Sequence, residues 1–313
     1  MTVSGQRHEI QVGVYLPQIG YDYGQLLERA RWADELGFDA VWLFDHLAFE
    51  GMPVPVLEGW TLATALLTQT QRIAIGHLVL CANFRHPVVL GKMATTLAAI
   101  APDRFLLGLG SGSTQYEHDV AGLPFGTPGE RTTRLDETVR IVQAMLRGES
   151  LDFDGSIFRV SDFPNLPVPA SPPPLVIGGS GPRTLGIVAR HADWWNLPTY
   201  AWKDFEAVFT RFERACEKAG RDPESMRLTS QSVLVLVERE DEIPAALEQA
   251  RRRYGGAAWG LQEAGHIGTP EMVLPRLEAA IARGVSHFIF FLHDRATRHT
   301  LELLAHEVVA RLR

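Results

Sequence analysis

A glycine-rich turn near the middle of the chain has the residue types of an anion site. Gly178, Gly179, Ser180 and Gly181 follow a short apolar run, and Pro182 suits the first turn of a helix. Glycines leave backbone N–H groups free to converge, and N–H groups at a helix N-terminus bind anions, typically phosphate. A plain turn leading into a helix explains the same residues, so this segment alone leaves phosphate binding open.

Asp45 and His46 follow a nearly continuous apolar run, 38–44 (FDAVWLF). A histidine at the end of a buried strand is able to donate a hydrogen bond to a bound ring or accept one from it. The alternative is a structural histidine held by Asp45 or by a backbone carbonyl. Three further candidates follow the third and fourth predicted strands. We interpret Cys81 as a small buried hydrophobic residue, because a cysteine at such a position is more often buried than reactive. Glu117 and His118 are an acid/base pair or ordinary loop residues, and the sequence does not separate these.

The spacing of other reactive residues disfavours several enzyme classes. The histidines are scattered, with no HxH or HExxH pair, so we predict no metal site. No GxSxG nucleophile motif is present. The stretch 108–112 (GLGSG) lacks the full GxGxxG spacing and acidic partner of a dinucleotide loop.

Eight strand-like runs alternate with amphipathic, helix-like stretches, and they would bring these candidates together. The predicted strands are 10–16, 38–44, 72–80, 104–109, 175–179, 193–197, 228–237 and 287–292. This pattern predicts one α/β domain over 1–313, a (β/α)8 TIM barrel. A hairpin (LDFDGSIFRV) and a proline-rich stretch form an insertion at about 150–174. Barrel enzymes carry their active groups at the carboxyl ends of the strands, and the candidates above all follow predicted strands.

The composition of the chain disfavours several classes of binding partner. The 313 residues are 46% hydrophobic and 21% charged, which is ordinary for a globular protein, and the net charge of −7 disfavours nucleic acid. Two cysteines are too few for a disulfide framework. No apolar run reaches membrane-spanning length, and the first residues lack the apolar core of a signal peptide. We therefore expect a cytoplasmic protein with no membrane partner.

Segments along nearly the whole chain resemble the bacterial luciferase-like flavin- and deazaflavin-dependent oxidoreductases. Singly they are weak, but in this order they are specific. They are ADELGFDAVWLFDH (33–46), GHLVLCANFRHPVVLGK (76–92), RFLLGLGSG (104–112), EHDVAGLPF (117–125), ERTTRLDETVRIV (130–142) and VIGGSGPRTL (176–185).

The resemblance implies a cofactor site with named residues. Asp45 and His46 would lie beside a flavin-type ring, and His46 would be the catalytic residue that tunes or protonates the transferred group. Leu78-Val79 would form a cis-peptide bulge that supports the ring. Ser111, Gly112 and Tyr116 would line the cofactor, and the residues from Gly178 to Pro182 would hold its phosphate. The segments FDH, FRHP and GGSGPRTL favour coenzyme F420 over FMN. The loop from Leu47 to Gly59 and the region from Tyr254 to Ile267 are possible lids.

One departure from the family pattern bears on the substrate, which is expected to be a small molecule. Members that dehydrogenate sugar phosphates carry a glutamate where this chain has Ser113, and a tryptophan where it has Glu50. That reaction is therefore not expected. Two alternatives to F420-dependent hydride transfer remain: an FMN-dependent monooxygenase supplied by a separate reductase, and a flavin-binding barrel without activity. The resemblance also implies a homodimer.

Overall fold

Eight parallel strands close into a barrel in the computed structural model, which describes residues 8–255 and 260–313. The barrel closes because β1 pairs with both β2 and the last strand, while β9 pairs with β10. The strands that form it, in order around the barrel, are β1 (Gln11–Tyr15), β2 (Ala40–Leu43), β3 (Ala74–His77), β5 (Phe105–Gly110), β8 (Leu175–Gly178), β9 (Trp194–Leu197), β10 (Arg227–Leu236) and β12 (Val285–Leu292). The barrel is confirmed, and each of its eight strands lies where one was predicted, although the third is shorter than predicted.

The predicted third strand is divided. Leu78 and Val79 interrupt it, and the chain resumes as β4 (Leu80–Cys81), which pairs with β5. The peptide bond between Leu78 and Val79 is cis, in agreement with the bulge that the resemblance implies. A continuous strand from residue 72 to residue 80 was therefore the wrong prediction, because the bulge removes two residues from the ladder.

Side chains fill the inside of the barrel. Trp42 is fully buried, and a Cβ added at Gly13 or Gly76 would lie 2.7 or 2.6 Å from its ring. The missing side chains on β1 and β3 therefore leave the space that the indole occupies. The inside of the barrel is a packed core. A ligand site is therefore expected only at the carboxyl ends of the strands, which are called here the barrel mouth.

Helices surround the barrel and set where the strand ends lie. In α1, Asp22 forms a capping box with Gln25, and Gly37 follows the helix with φ +79°. The helices are α1 (Tyr23–Glu35), α2 (Gly59–Gln69), α3 (Pro87–Ile100), α4 (Gln115–Ala121), α5 (Pro128–Leu146), α6 (Pro182–His191), α7 (Phe205–Ala219), α8 (Ile243–Tyr254), α9 (Leu261–Ala264), α10 (Pro270–Ala282), α11 (Arg298–Leu303) and α12 (Ala310–Leu312). A π-helical turn, Leu304–Val309, joins the last two.

The predicted hairpin is present as β6 (Leu151–Asp154) and β7 (Arg159–Phe163), paired antiparallel. Glu137 of α5 is buried and accepts hydrogen bonds from the backbone N–H groups of Ser156, Ile157 and Phe158. Burial raises the pKa of Glu137, but these hydrogen bonds, together with one from the Ser156 hydroxyl, outweigh it and lower the pKa. The turn of the hairpin is thus fixed to α5 by one carboxylate.

A second insertion into the barrel, after the hairpin, follows β10. The short strand β11 (His266–Gly268) pairs with the end of β10, and α8 packs on residues of the barrel interior. The Tyr254 hydroxyl donates to the carbonyl of Leu292 at the end of β12. The predicted lid from Tyr254 to Ile267 includes residues 256–259, which lie outside the described residues. None of the helices in the described ranges is long and apolar enough to span a membrane.

Candidate active site

His46 and Glu117 form a hydrogen-bonded pair at the barrel mouth. His46 lies three residues beyond β2, and Nδ1 of its ring is 3.0 Å from Oε1 of Glu117 on α4. The other oxygen of Glu117 accepts from the backbone N–H of Leu47 at 2.8 Å. A carboxylate only accepts hydrogen bonds, so Nδ1 carries the proton and Nε2 of the neutral ring is left as an acceptor.

The environment of this pair favours one orientation of the imidazole. The Glu117 side chain is 2% exposed, whereas that of His46 is 28% exposed. The rings of Phe44 and Phe49 each lie 5.2 Å from the His46 ring, centroid to centroid. No described residue makes a hydrogen bond to Nε2 of His46. The sequence left open that Asp45 or a backbone carbonyl holds His46 for structural reasons. In the structure, the residue that holds His46 is Glu117.

His118 has a different role from that of its neighbour Glu117. It is fully buried between the rings of Phe84 and Phe125, and its Nδ1 donates to the carbonyl of Thr114 at 2.8 Å. Its Nε2 lies 3.8 Å from the Cys81 sulfur. Glu117 and His118 are thus not paired with each other, and each points to a different partner.

Cys81 is a structural thiol. Burial raises its pKa to about 12, so it stays protonated near neutral pH. Its sulfur would lie 2.7 Å from a Cβ at Gly112, which joins the end of β4 to the residues after β5. The interpretation of Cys81 as a small buried hydrophobe agrees with this packing.

Asp45 lies in a buried ion network. Both of its oxygens accept from the Arg85 guanidinium, at 2.7 and 2.9 Å, and one also accepts from the N–H of Cys81. Arg85 extends to Glu58 at 2.5 Å, and Glu58 caps α2 through the N–H groups of Trp60 and Thr61. Burial raises the pKa of Glu58, but the hydrogen bonds from Thr61 and Trp60 and the charge of Arg85 outweigh it and hold the pKa at about 2.

This network gives Asp45 a structural task. Its side chain is 1% exposed and both oxygens have partners, so it connects the end of β2 to β4 and α2. Contact between Asp45 and a bound ring stays a prediction. Arg85 and Glu58 were not among the predicted site residues. The sequence offered one sign of this ion pair: a carboxylate at the end of a buried strand, and an arginine in the segment that follows the next strand.

The bulge at Leu78-Val79 places an apolar side chain against three glycines. A Cβ at Gly108, Gly110 or Gly178 would lie 3.4, 2.4 or 3.2 Å from the methyl groups of Val79. The glycines of β5, which sequence reasoning discounted as a poor dinucleotide loop, therefore make room for the bulge. Val79 and Gly178, two predicted site residues almost 100 positions apart in sequence, come together here.

The glycine turn after β8 leads into a helix start without a side-chain cap among the described residues. The carbonyl of Gly179 accepts from the Trp195 indole at 2.8 Å, and its N–H donates to Asn196. Gly179 has φ +135°, and a Cβ there would lie 2.9 Å from Cγ2 of Thr184. Gly181 is the N-cap of α6, with no side-chain cap from the described residues, and Pro182 is its first residue.

The other predicted site residues are distributed around the same end of the barrel. Ser111 and Gly112 follow β5 directly and are half-buried, and Tyr116 is half-buried on α4. This short helix was not predicted, since seven residues carry little periodicity. Ser113 and Glu50 are exposed. In the described part of the chain, no cluster of three or more His, Cys, Asp or Glu is arranged to hold a metal ion.

Comparison with known protein families gives one match that covers most of the sequence. Residues 5–288 match the model of the luciferase-like monooxygenase family. The chain belongs to this family. Membership of this family agrees with the barrel, with the cis bond between Leu78 and Val79, and with the order of the sequence segments that resemble the family.

F420-dependent dehydrogenases are among the proteins that are similar to this chain in sequence. The F420-dependent hydroxymycolic acid dehydrogenase of Mycobacterium tuberculosis is 30% identical over 252 residues, which cover 79% of this chain and 68% of the relative. The F420-dependent glucose-6-phosphate dehydrogenase of Microbacterium testaceum is 31% identical over 274 residues, which cover 85% and 79%.

Solved structures share the fold. An F420-dependent secondary alcohol dehydrogenase in complex with an F420-acetone adduct superposes with a TM-score of 0.82 at 19% identity, over 97% of this chain and 99% of that one. EDTA monooxygenase from Chelativorans sp. BNC1 superposes with a TM-score of 0.78 at 15% identity, over 97% and 93%. At these identities the likeness establishes the barrel fold.

Proposed function

We propose that this chain is an F420-dependent oxidoreductase that transfers a hydride between the deazaflavin and a small organic substrate at the barrel mouth. The observation that carries the proposal is the meeting of three features at one end of the barrel. They are the His46–Glu117 pair, the Val79 bulge and the uncapped glycine turn before α6. The names of the two dehydrogenase relatives support F420 over FMN.

The residues present fit a phosphate-bearing, ring-containing cofactor. The turn from Gly178 to Pro182 would hold the phosphate, because the first N–H groups of α6 have no side-chain cap. Gly179 leaves a space there that a Cβ would fill, against Thr184. The Leu78-Val79 bulge, Ser111 and Gly112 would line the ring, with Tyr116 as a neighbouring polar group.

The chemistry is divided between the cofactor and the protein. When bound, the deazaflavin supplies a ring carbon that accepts or gives a hydride. Nε2 of His46 holds the proton that leaves or rejoins the substrate in the same reaction. Glu117 keeps that nitrogen free by binding the proton on Nδ1. Phe44 and Phe49 keep one side of the imidazole apolar.

Cofactor titration of the purified protein tests this proposal. We expect oxidised or reduced F420 to bind more tightly than FMN in either state, and turnover to proceed without oxygen. Binding of neither cofactor would overturn the proposal. Tight binding of reduced FMN with an absolute oxygen requirement would indicate a two-component monooxygenase instead. If a His46→Ala variant changed only the affinity and no substrate gave turnover, the barrel would be a flavin carrier.

A further inference from the structure

Three arginine side chains surround the ring of Tyr21 at the rim of the barrel mouth. The guanidinium carbon of Arg295 lies 3.8 Å from the centre of that ring, that of Arg29 lies 5.1 Å away and that of Arg253 5.4 Å away. Tyr21 itself is 2% exposed. The arginines come from three parts of the fold, since they belong to α1, to the last turn of α8 and to the segment after β12. These four residues are called here the arginine cluster.

Acidic residues do not balance the charge of the arginine cluster. Arg29 has one carboxylate nearby, that of the exposed Glu28, at 3.8 Å. Arg253 and Arg295 are half-buried and form no ion pair with any acidic residue in the described ranges. Asp294, the neighbour of Arg295 in sequence, accepts instead from two threonine hydroxyls at the start of α11. Two positive charges are therefore left close together without a counter-charge, and they repel each other.

The hydrogen bonds of Arg253 and Arg295 leave donors unused. A guanidinium group has five N–H donors. Nη2 of Arg295 donates to the carbonyl of Gly20 at 2.8 Å, and Nη2 of Arg253 donates to the Tyr21 hydroxyl at 3.3 Å. Nε of each arginine is buried and has no partner among the described residues. Buried N–H groups nearly always have a partner, so two such groups in one cluster point to a ligand that accepts hydrogen bonds.

The arginine cluster lies at the same end of the barrel as His46 but far from the glycine turn. Tyr21 follows β1 and Arg295 follows β12, which pairs with β1. His46 follows β2, on the other side of β1. The glycine turn follows β8, which lies across the barrel from β1. Barrel enzymes frequently hold phosphate after their seventh and eighth strands, and β12 is the eighth strand of this barrel.

We infer that the arginine cluster binds a phosphate group, either as the free ion or as the end of a small phosphate monoester. A dianion matches the two uncompensated guanidinium groups in charge, and its oxygens accept several hydrogen bonds at once. This site is separate from the one proposed for the cofactor phosphate, and the inference does not depend on the proposed function.

A phosphate in the arginine cluster would connect two elements at the barrel mouth. Arg253 belongs to α8 and Arg295 to the segment after β12. The residue after Arg253 is Tyr254, whose hydroxyl donates to the carbonyl of Leu292 at the end of β12. The bound group would therefore add a second link between the end of α8 and β12. Phosphate should then stabilise the folded chain, since a ligand that binds only the folded state does so.

Titration calorimetry with inorganic phosphate tests the site. Chloride keeps the ionic strength constant, so that screening is the same in every titration. The variants are Arg253→Gln and Arg295→Gln, which keep a polar side chain and remove the charge. Arg251→Gln is the matched control, because Arg251 is an exposed arginine of the same helix and does not belong to the cluster. Denaturant unfolding without phosphate shows whether each variant is folded.

All titrations are repeated in a Gly179→Ala background, because the glycine turn is also expected to hold phosphate. In that background the chain and its Arg251→Gln control should still bind phosphate, with equal affinity. Arg253→Gln and Arg295→Gln should each weaken this binding by about tenfold or more, because each removes a charged donor. The stabilisation by phosphate should decrease in the same two variants.

Two results would overturn the inference. One is the absence of phosphate binding in the Gly179→Ala background, and the other is an unchanged affinity in both cluster variants. Neither result concerns the binding of F420, which the cofactor titration tests separately. Methyl phosphate distinguishes the two forms of the ligand. An affinity equal to that of inorganic phosphate would support a site for a phosphate monoester, whereas binding of inorganic phosphate alone would support a site for the free ion.

Discussion

The proton on the His46 imidazole is assigned by a single carboxylate. Glu117 is buried, accepts from both Leu47 and His46, and is held on a helix of only seven residues. A buried carboxylate with two donors is costly to rearrange, since each lost hydrogen bond leaves a polar group without water. Glu117 is therefore a positioning residue, and its effect on His46 is measurable without a substrate.

We expect Glu117→Ala to abolish the preference of His46 for a proton on Nδ1, because no other described residue accepts from that nitrogen. The ¹⁵N signals of the His46 imidazole report the tautomer directly. Glu117→Gln retains an oxygen acceptor and should keep the wild-type pattern. An unchanged His46 spectrum in Glu117→Ala would show that the pair does not set the tautomer.

A second residue-scale prediction concerns Gly179, whose φ of +135° is accessible only to glycine. We expect Gly179→Ala to weaken the binding of phosphorylated deazaflavin by about tenfold or more, because the strained φ and the contact with Thr184 would shift the turn, and one displaced donor to a charged phosphate has that effect. A deazaflavin without the phosphate should bind the variant as it binds the wild-type chain. Gly220→Ala is the control, since Gly220 also has positive φ and no atom lies within 4 Å of its Cβ position. Equal losses for both ligands would contradict a phosphate site at this turn.

At the scale of elements, one arginine links three of them. Arg85 follows β4, pairs with Asp45 after β2, and reaches Glu58 at the start of α2. Because the Asp45 side chain is almost fully enclosed, its charge depends on Arg85 for compensation. The strand ends that carry His46 and the bulge are thereby held in one arrangement.

We expect Arg85→Met to lower the free energy of unfolding by about 3 to 5 kcal/mol, since removing one partner leaves a buried charge uncompensated. Denaturant unfolding measures this loss. Arg159→Met is a matched control, because Arg159 pairs with Asp154 at 2.7 Å but both side chains are about four-fifths exposed. That control should cost less than about 1 kcal/mol. Similar losses in the two variants would refute a special role for the buried network.

The elements were largely predictable from sequence, whereas the contacts between them were not. Apolar runs and helical periodicity predicted all eight barrel strands and α6, because each depends on residues close in sequence. The His46–Glu117 pair joins residues 71 positions apart through an unpredicted helix. The packing of Val79 against Gly108 and Gly110 depends on the bulge, and composition carries no sign of it. The cis bond at Leu78-Val79 was predicted from the family resemblance, and the residue types alone would not have predicted it.

At the scale of the whole molecule, the fold encloses histidines that stay neutral. Burial lowers the pKa of His77 and of His266 to about 4, and that of His287 to about 3. Nε2 of His287 accepts from the indole N–H of Trp42 at 3.1 Å, and protonation would remove this hydrogen bond. The packed interior thus resists charging, which links the stability of the barrel to pH.

The direction of that link follows from proton uptake by the unfolded chain. Unfolded histidines bind protons below about pH 6.5, whereas these three stay neutral in the fold until lower pH. Their contribution to stability is complete above pH 6.5 and falls as the pH decreases. These three histidines give the unfolded state about three more protons near pH 5.5, which lowers the free energy of unfolding by about 4 kcal/mol per pH unit. Burial also lowers the pKa of His191 and of His293, and both add to the slope in the same direction.

Denaturant unfolding at several values between pH 7 and pH 5 measures this slope, in a range above most carboxylate titration. His287→Gln keeps an acceptor for the Trp42 indole and removes one titrating group. Its slope should be smaller by about 1.4 kcal/mol per pH unit, whatever the absolute stability of the variant, because one proton is no longer taken up on unfolding. A flat profile in the wild-type chain would mean that these histidines already bind protons in the folded barrel. An unchanged slope in His287→Gln would assign the pH dependence to other groups.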